Sequence, residues 1–116
     1  MAQNNTFAEY VVHDLLGHID GVTARAMFGG HGIYKDGVIF AIIADDELYF
    51  KVDESNRAQY EARGSHPFVY AKGGHKSTTM SYWLVPQDIL EDKDRLREWV
   101  EQSVAISAAK KPKGAN

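Results

Sequence analysis

At 116 residues the chain has the length of one domain, enough to bury roughly two-thirds of its unfolded surface without a covalent staple. It holds no cysteine, which excludes a disulfide framework and thiolate metal sites. A formal net charge of −3 argues against a dedicated nucleic-acid binder, which would carry a strong positive excess.

The polar start Met1-Ala2-Gln3-Asn4-Asn5-Thr6 lacks the charged-then-apolar pattern of a secretory signal, so a cytoplasmic location is expected. Thr6 and Glu9 have capping-box spacing, and Phe7, Tyr10, Val11, Leu15 and Ile19 follow at helical intervals. This predicts a first helix from Phe7 to His18, weakened at Gly17 and ended by Asp20-Gly21. Ala24 to Lys35 reads as extended, interrupted by Gly29-Gly30 and Gly32. Either a tight turn joins two short strands there or a bulge kinks one long strand, and the kinked strand is the expectation.

Asp36-Gly37 is a hairpin-turn dipeptide. The run Val38 to Ala44 is apolar and β-branched, predicting a strand covered on both faces and far too short to span a membrane. After the Asp45-Asp46 turn, Leu48, Phe50 and Val52 point one way along a strand while Tyr49 and Lys51 point the other. A second helix is expected from Glu54 to Arg63, capped by Asp53 and stopped by Gly64. Pro67 to Lys72 and Ser77 to Val85 read as strands joined at Gly73-Gly74. Pro86 suits a helix's first turn, and Asp92 restarts a helix whose buried stripe is Leu96, Trp99, Val100 and Val104. Residues 1–109 thus form the domain, and 110–116, with Lys110-Lys111-Pro112-Lys113, a flexible basic tail.

The order helix, three strands, helix, two strands, helix predicts an α+β two-layer sandwich. Its antiparallel sheet has about five strands, with the helices mainly on one face.

Four segments carry a family resemblance: Arg25-Ala26-Met27-Phe28-Gly29-Gly30-His31-Gly32-Ile33-Tyr34, Leu48 to Asp53, Pro67-Phe68-Val69-Tyr70, and Met80-Ser81-Tyr82-Trp83 with Val85-Pro86. Across Phe7 to Val104 the chain resembles the N-terminal domain of the TfoX (Sxy) family, bacterial regulators associated with natural competence. The resemblance implies a fold similar to type III secretion chaperones and a regulatory role in transcription. Full-length regulators of that family carry a second, helical domain, for which a chain ending at Asn116 has no room. A stand-alone N-terminal domain is therefore expected. The resemblance brings no catalytic residue, cofactor or metal. Within it, Phe28, Gly29, Gly30, Gly32, Tyr82 and Pro86 read as structural.

Motifs for chemistry are weak. Gly29-Gly30-x-Gly32 lacks the strand-to-helix context and the Lys-Ser/Thr of a phosphate loop, and reads as glycine needed at a sheet kink. His13 and His18 are badly spaced for one helix face, and His31, His66 and His75 fall at loops or kinks. No catalytic, cofactor-binding or metal-binding set is expected, and a small metal-dependent enzyme is the least favoured reading. Period-two alternation groups Arg25 with Met27, Tyr49 with Lys51, and Ser81 with Trp83. If these coincide on the face that helices leave bare, Arg25, Met27, Tyr49, Lys51 and Trp83 form a binding surface of the kind enriched at protein interfaces. The expected role is a non-enzymatic adaptor binding a protein partner, with a homodimer as one form. The alternative is direct nucleic-acid contact through Arg25, Lys51, Lys72, Lys76 and the tail.

Overall fold

The computed structural model describes residues 5–27, 30–70 and 78–109. Six strands form one antiparallel sheet: β1 (Val22–Met27), β2 (Gly30–Lys35), β3 (Val38–Ala44), β4 (Glu47–Lys51), β5 (Pro67–Tyr70) and β6 (Thr78–Leu84). Their spatial order is β1-β2-β3-β4-β6-β5, so the chain steps out past β6 to the edge before returning beside β4.

Two-residue turns set the first registers. Lys35 pairs with Val38 around Asp36-Gly37, whose φ values are 50° and 85°, the paired positive angles a tight hairpin requires. Asp45 and Asp46 do the same between β3 and β4, at φ 54° and 60°. The glycine-rich stretch is corrected: it is not one kinked strand. β1 and β2 pair antiparallel from Val22↔Lys35 to Met27↔Gly30, which gives six strands where about five were expected. Gly30 is needed for close approach, since a Cβ there would run into the Ile43 carbonyl oxygen. Phe28 and Gly29, between those strands, lie outside the described residues.

The first helix also differs from expectation. It begins by Asn5 (α1, Asn5–Glu9), so Thr6 sits inside it and not at its cap. It then widens into a π-helical segment, Tyr10–Leu15, in which Leu16 N donates to Val11 O at 2.8 Å. Val11, fully buried, is its anchor in the core. α2 (Arg57–Glu61) is shorter than predicted because Asp53 and Asn56 form the turn before it: Asn56 Oδ1 accepts from Asp53 N at 2.9 Å. It ends as foreseen at Gly64, where Ser65 N bonds Tyr60 O and Gly64 N bonds Glu61 O, both at 3.0 Å. Pro86 precedes α3 (Gln87–Leu90), and its carbonyl accepts from Ile89 and Leu90. Asp92 starts α4 (Lys93–Ala109), with its carboxylate accepting from Arg95 N at 3.2 Å. The buried residues of α4 include Leu96, Trp99, Val100, Ser103 and Ile106, with Val104 half-buried at the margin.

One face of the sheet holds the core. Ile33, Ala41, Phe50 and Trp83 lie side by side across β2, β3, β4 and β6, and directly paired residues share a face. Between Ile33 and Tyr34 the β2–β3 register slips, leaving Phe40 as the extra residue; it packs edge-on against Phe50 at 5.7 Å. This face and the helices share a single hydrophobic cluster that runs from Ala8 and Val11 to Trp99 and Val100. β3 is therefore covered by helices on one face only, a correction to the two-sided cover its composition suggested. The loop predicted at Gly73-Gly74, with Lys72, His75 and Lys76, and the tail 110–116 lie outside the described residues. Among the described residues no helix is long and apolar enough to cross a membrane.

Candidate functional site

The second face of the sheet belongs to none of the helix contacts of that core. Register places Arg25, Gly32, Ile42, Tyr49 and Leu84 in one row across β1, β2, β3, β4 and β6. Thr23, Tyr34 and Ile39 share the same face, and Lys51 lies beside Tyr82. No helix among the described residues lies over these side chains.

Aromatic rings and cations cover one another on this face. The Arg25 guanidinium sits 5.9 Å from the Tyr34 ring centre and the Lys51 ammonium 5.1 Å from that of Tyr82. Each arrangement lets a cation lie along a π-face while its charge stays near water. Tyr49 packs on Phe68 from β5 with centroids 5.1 Å apart. Its hydroxyl donates to Glu47 Oε1 at 3.1 Å. Burial, that hydrogen bond, and the charges of Glu47 and Asp45 push the Tyr49 phenol up to about 12. Burial, with Tyr34 close by, also raises Tyr82. At 5% and 8% exposure, Tyr49 and Tyr82 offer little free ring surface. The accessible part of the face is therefore half-buried Tyr34, Ile39, Ile42, Phe68 and Leu84, with exposed Arg25 at the β1 edge and Lys51 beside Tyr82.

The structure brings Arg25, Tyr49 and Lys51 onto one face. It places Trp83 on the other. Trp83 pairs with Phe50, and its ring lies 6.3 Å from that of Tyr60 in α2, against the helix layer. Tyr82 takes the position expected of Trp83, so the residue read as structural faces Lys51. Met27 is placed only by its backbone, in register with Gly30. Tyr34 and Phe68 were missed. The signal for Tyr34 was present, since it alternates in phase with Gly32, which pairs with Arg25.

On the covered face, Tyr60 is packed against Trp99 at 4.4 Å, and burial raises its phenol strongly while Ser103 pulls slightly the other way. The Ser103 hydroxyl is committed to the Lys51 carbonyl at 2.8 Å, a tie between α4 and β4. Among the described residues no three His, Asp or Glu side chains converge to hold a metal ion.

Residues 14–107 match the TfoX N-terminal domain. The chain belongs to the TfoX N-terminal domain family. Among relatives, it is 30% identical to protein Sxy of Escherichia coli (strain K12) over 90 residues, covering 75% of this chain and 41% of Sxy. The "Uncharacterized 12.7 kDa protein in trpE 5′ region" of Spirochaeta aurantia is 28% identical over 116 residues, covering 99% of this chain and 92% of that protein. The chain thus spans less than half the length of Sxy and nearly all of the second relative. The TfoX-type match includes the whole six-stranded sheet and most of α4.

Proposed function

We propose that this TfoX-type domain is a non-enzymatic regulatory module of the cytoplasm that acts by binding a protein partner through its uncovered sheet face. Membership of a family named for a regulator, and likeness to Sxy, support a regulatory role. One observation carries the binding reading: Tyr34, Ile39, Ile42, Phe68 and Leu84 make an apolar surface, set between Arg25 and Lys51, that no helix among the described residues covers. Tyr and Arg are the side chains that most often anchor protein interfaces, because each buries much area and keeps a polar tip.

A base-stacking platform for single-stranded nucleic acid is less well supported. Stacking needs open ring faces, and Tyr49 and Tyr82 are more than nine-tenths buried. Capture from native cytoplasm on the immobilised full chain, read by mass spectrometry, tests the proposal. Arg25→Glu with Lys51→Glu should lose the partner while the circular-dichroism spectrum stays the same. Equal capture by the double variant would remove this face from the mechanism. Affinity that falls steeply and linearly with log salt would instead support phosphate contact.

A further inference from the structure

The helical side of the sheet is open at its β1–β2 end. Between the first helical turns and that hairpin lies a cleft of about 280 Å³, lined by Ala8, Glu9, Val12 and His13 from the helical arm and by Ala24 and His31 from the strands. That volume is near the small end of the range for small-molecule sites.

Two further observations converge on it. His31 is only 8% exposed, yet among the described residues its side chain makes no hydrogen bond, ion pair or ring contact. Among the described residues the fully enclosed polar atoms without a partner belong to His18, Tyr60 and Ser107, whereas His31 lines the cleft. Buried imidazoles normally find a partner, and the His31 ring lines this cleft. The cleft's other wall is formed by α1 and by the π-helical segment Tyr10–Leu15, which contributes Val12 and His13. Such widened turns are rare and recur at functional sites.

The lining decides the ligand's chemistry. It presents one carboxylate, two imidazoles and three small apolar side chains, with no Lys or Arg. A metal ion would need donors converging on one point, and no three His, Asp or Glu do so among the described residues. We propose that this cleft binds a small organic cation, an ammonium or amidinium group on a compound of roughly ten heavy atoms. The Glu9 carboxylate is the counter-charge at the rim and the His31 ring accepts a hydrogen bond at the floor. Ala8, Val12 and Ala24 contact the ligand's hydrocarbon part.

The test is a titration of the full chain, with histidine ring signals followed by NMR. Benzamidine and n-butylamine are the cationic probes, benzoate the anionic control and Zn²⁺ the metal. The His31 ring signals should shift saturably with the cations and not with benzoate. Glu9→Gln, at an exposed site, should weaken binding at least about tenfold. Ala24→Leu, which fills the cleft, should abolish it with circular dichroism unchanged. The proposal is overturned if no cation moves His31 below roughly 10 mM. It is equally overturned if benzoate acts alike, if Glu9→Gln binds as tightly, or if Zn²⁺ alone produces the shifts.

Discussion

On its helical side the central sheet presents Ile33, Phe40, Leu48, Phe50 and Val52, each at most 4% exposed and all joined to α4 and its neighbours in one cluster. On its other side the same strands present Tyr34, Ile42, Tyr49 and Lys51, which meet one another and the side chains of β5 and β6. A face covered by helices is packed mainly with hydrocarbon, with few polar groups such as Ser103 tied into it. A face with no helix over it covers its own apolar surface with amphipathic side chains, whose rings and stems lie flat while hydroxyls and charges reach water. The difference separates stability from recognition: substitutions on the first face should unfold the domain, and those on the second should mainly change what it holds.

The largest expected effect tests the covered face. Phe50→Ala removes a fully buried ring in contact with Phe40 and should cost about 3–5 kcal/mol in urea unfolding. A loss under about 1 kcal/mol would mean that the two faces do not differ in this way. Gly30→Ala comes next, because its Cβ meets the fixed Ile43 carbonyl and β2 must move away from β3. We expect a loss of about 1–3 kcal/mol, with the amide protection of Gly32 and Ile42 falling first.

Alkaline titration addresses the uncovered face. The Tyr49 phenol, held at about 12 in the fold, ionises near 10.0 once unfolded. The unfolded chain therefore loses this proton first as pH rises, and the stabilisation is complete below 10.0 and lost on the way to about 12. At about 1.4 kcal/mol per pH unit this shift corresponds to at most about 3 kcal/mol, which solvent screening reduces. Absorbance at 295 nm should show Tyr49 and Tyr82 ionising only as the domain unfolds. The smallest effect is on Arg25→Glu: thermal unfolding should shift by less than about 1 kcal/mol, since only an exposed cation–π contact is lost. A larger loss would make Arg25 part of the fold and not of its recognition surface.

Much of the architecture was legible in local signals. Asp36-Gly37 specified a tight hairpin because a residue with no Cβ takes φ 85° without penalty. Gly64 stopped α2 for the same reason, and the positions of Leu96, Trp99 and Val100 marked the stripe that α4 buries. The glycine stretch was not legible to that extent. A kinked strand and a hairpin use the same residues, and only the pairing of Met27 with Gly30 distinguishes them. The π-helical widening after Glu9 left no mark in the apolar spacing, because it depends on how Val11 and Leu16 reach the core.

The candidate surface divides in the same way. Alternation within β4 was enough to place Tyr49 and Lys51 together, since neighbouring residues of a strand must point to opposite sides. The sequence by itself also determined the strand-forming runs, the helix stripes and the family. It could not determine which side of the sheet each strand's pattern faces. Trp83 and Tyr82 are adjacent, and each was eligible for the core until Phe50 came into register with Trp83 and Tyr60 packed on its ring. Phase between strands is a long-range property, set where non-local pairs meet and the helices choose a face. The meeting of His13 with His31 across one cleft is a decision of the same kind, made by tertiary packing between residues that local spacing leaves unrelated.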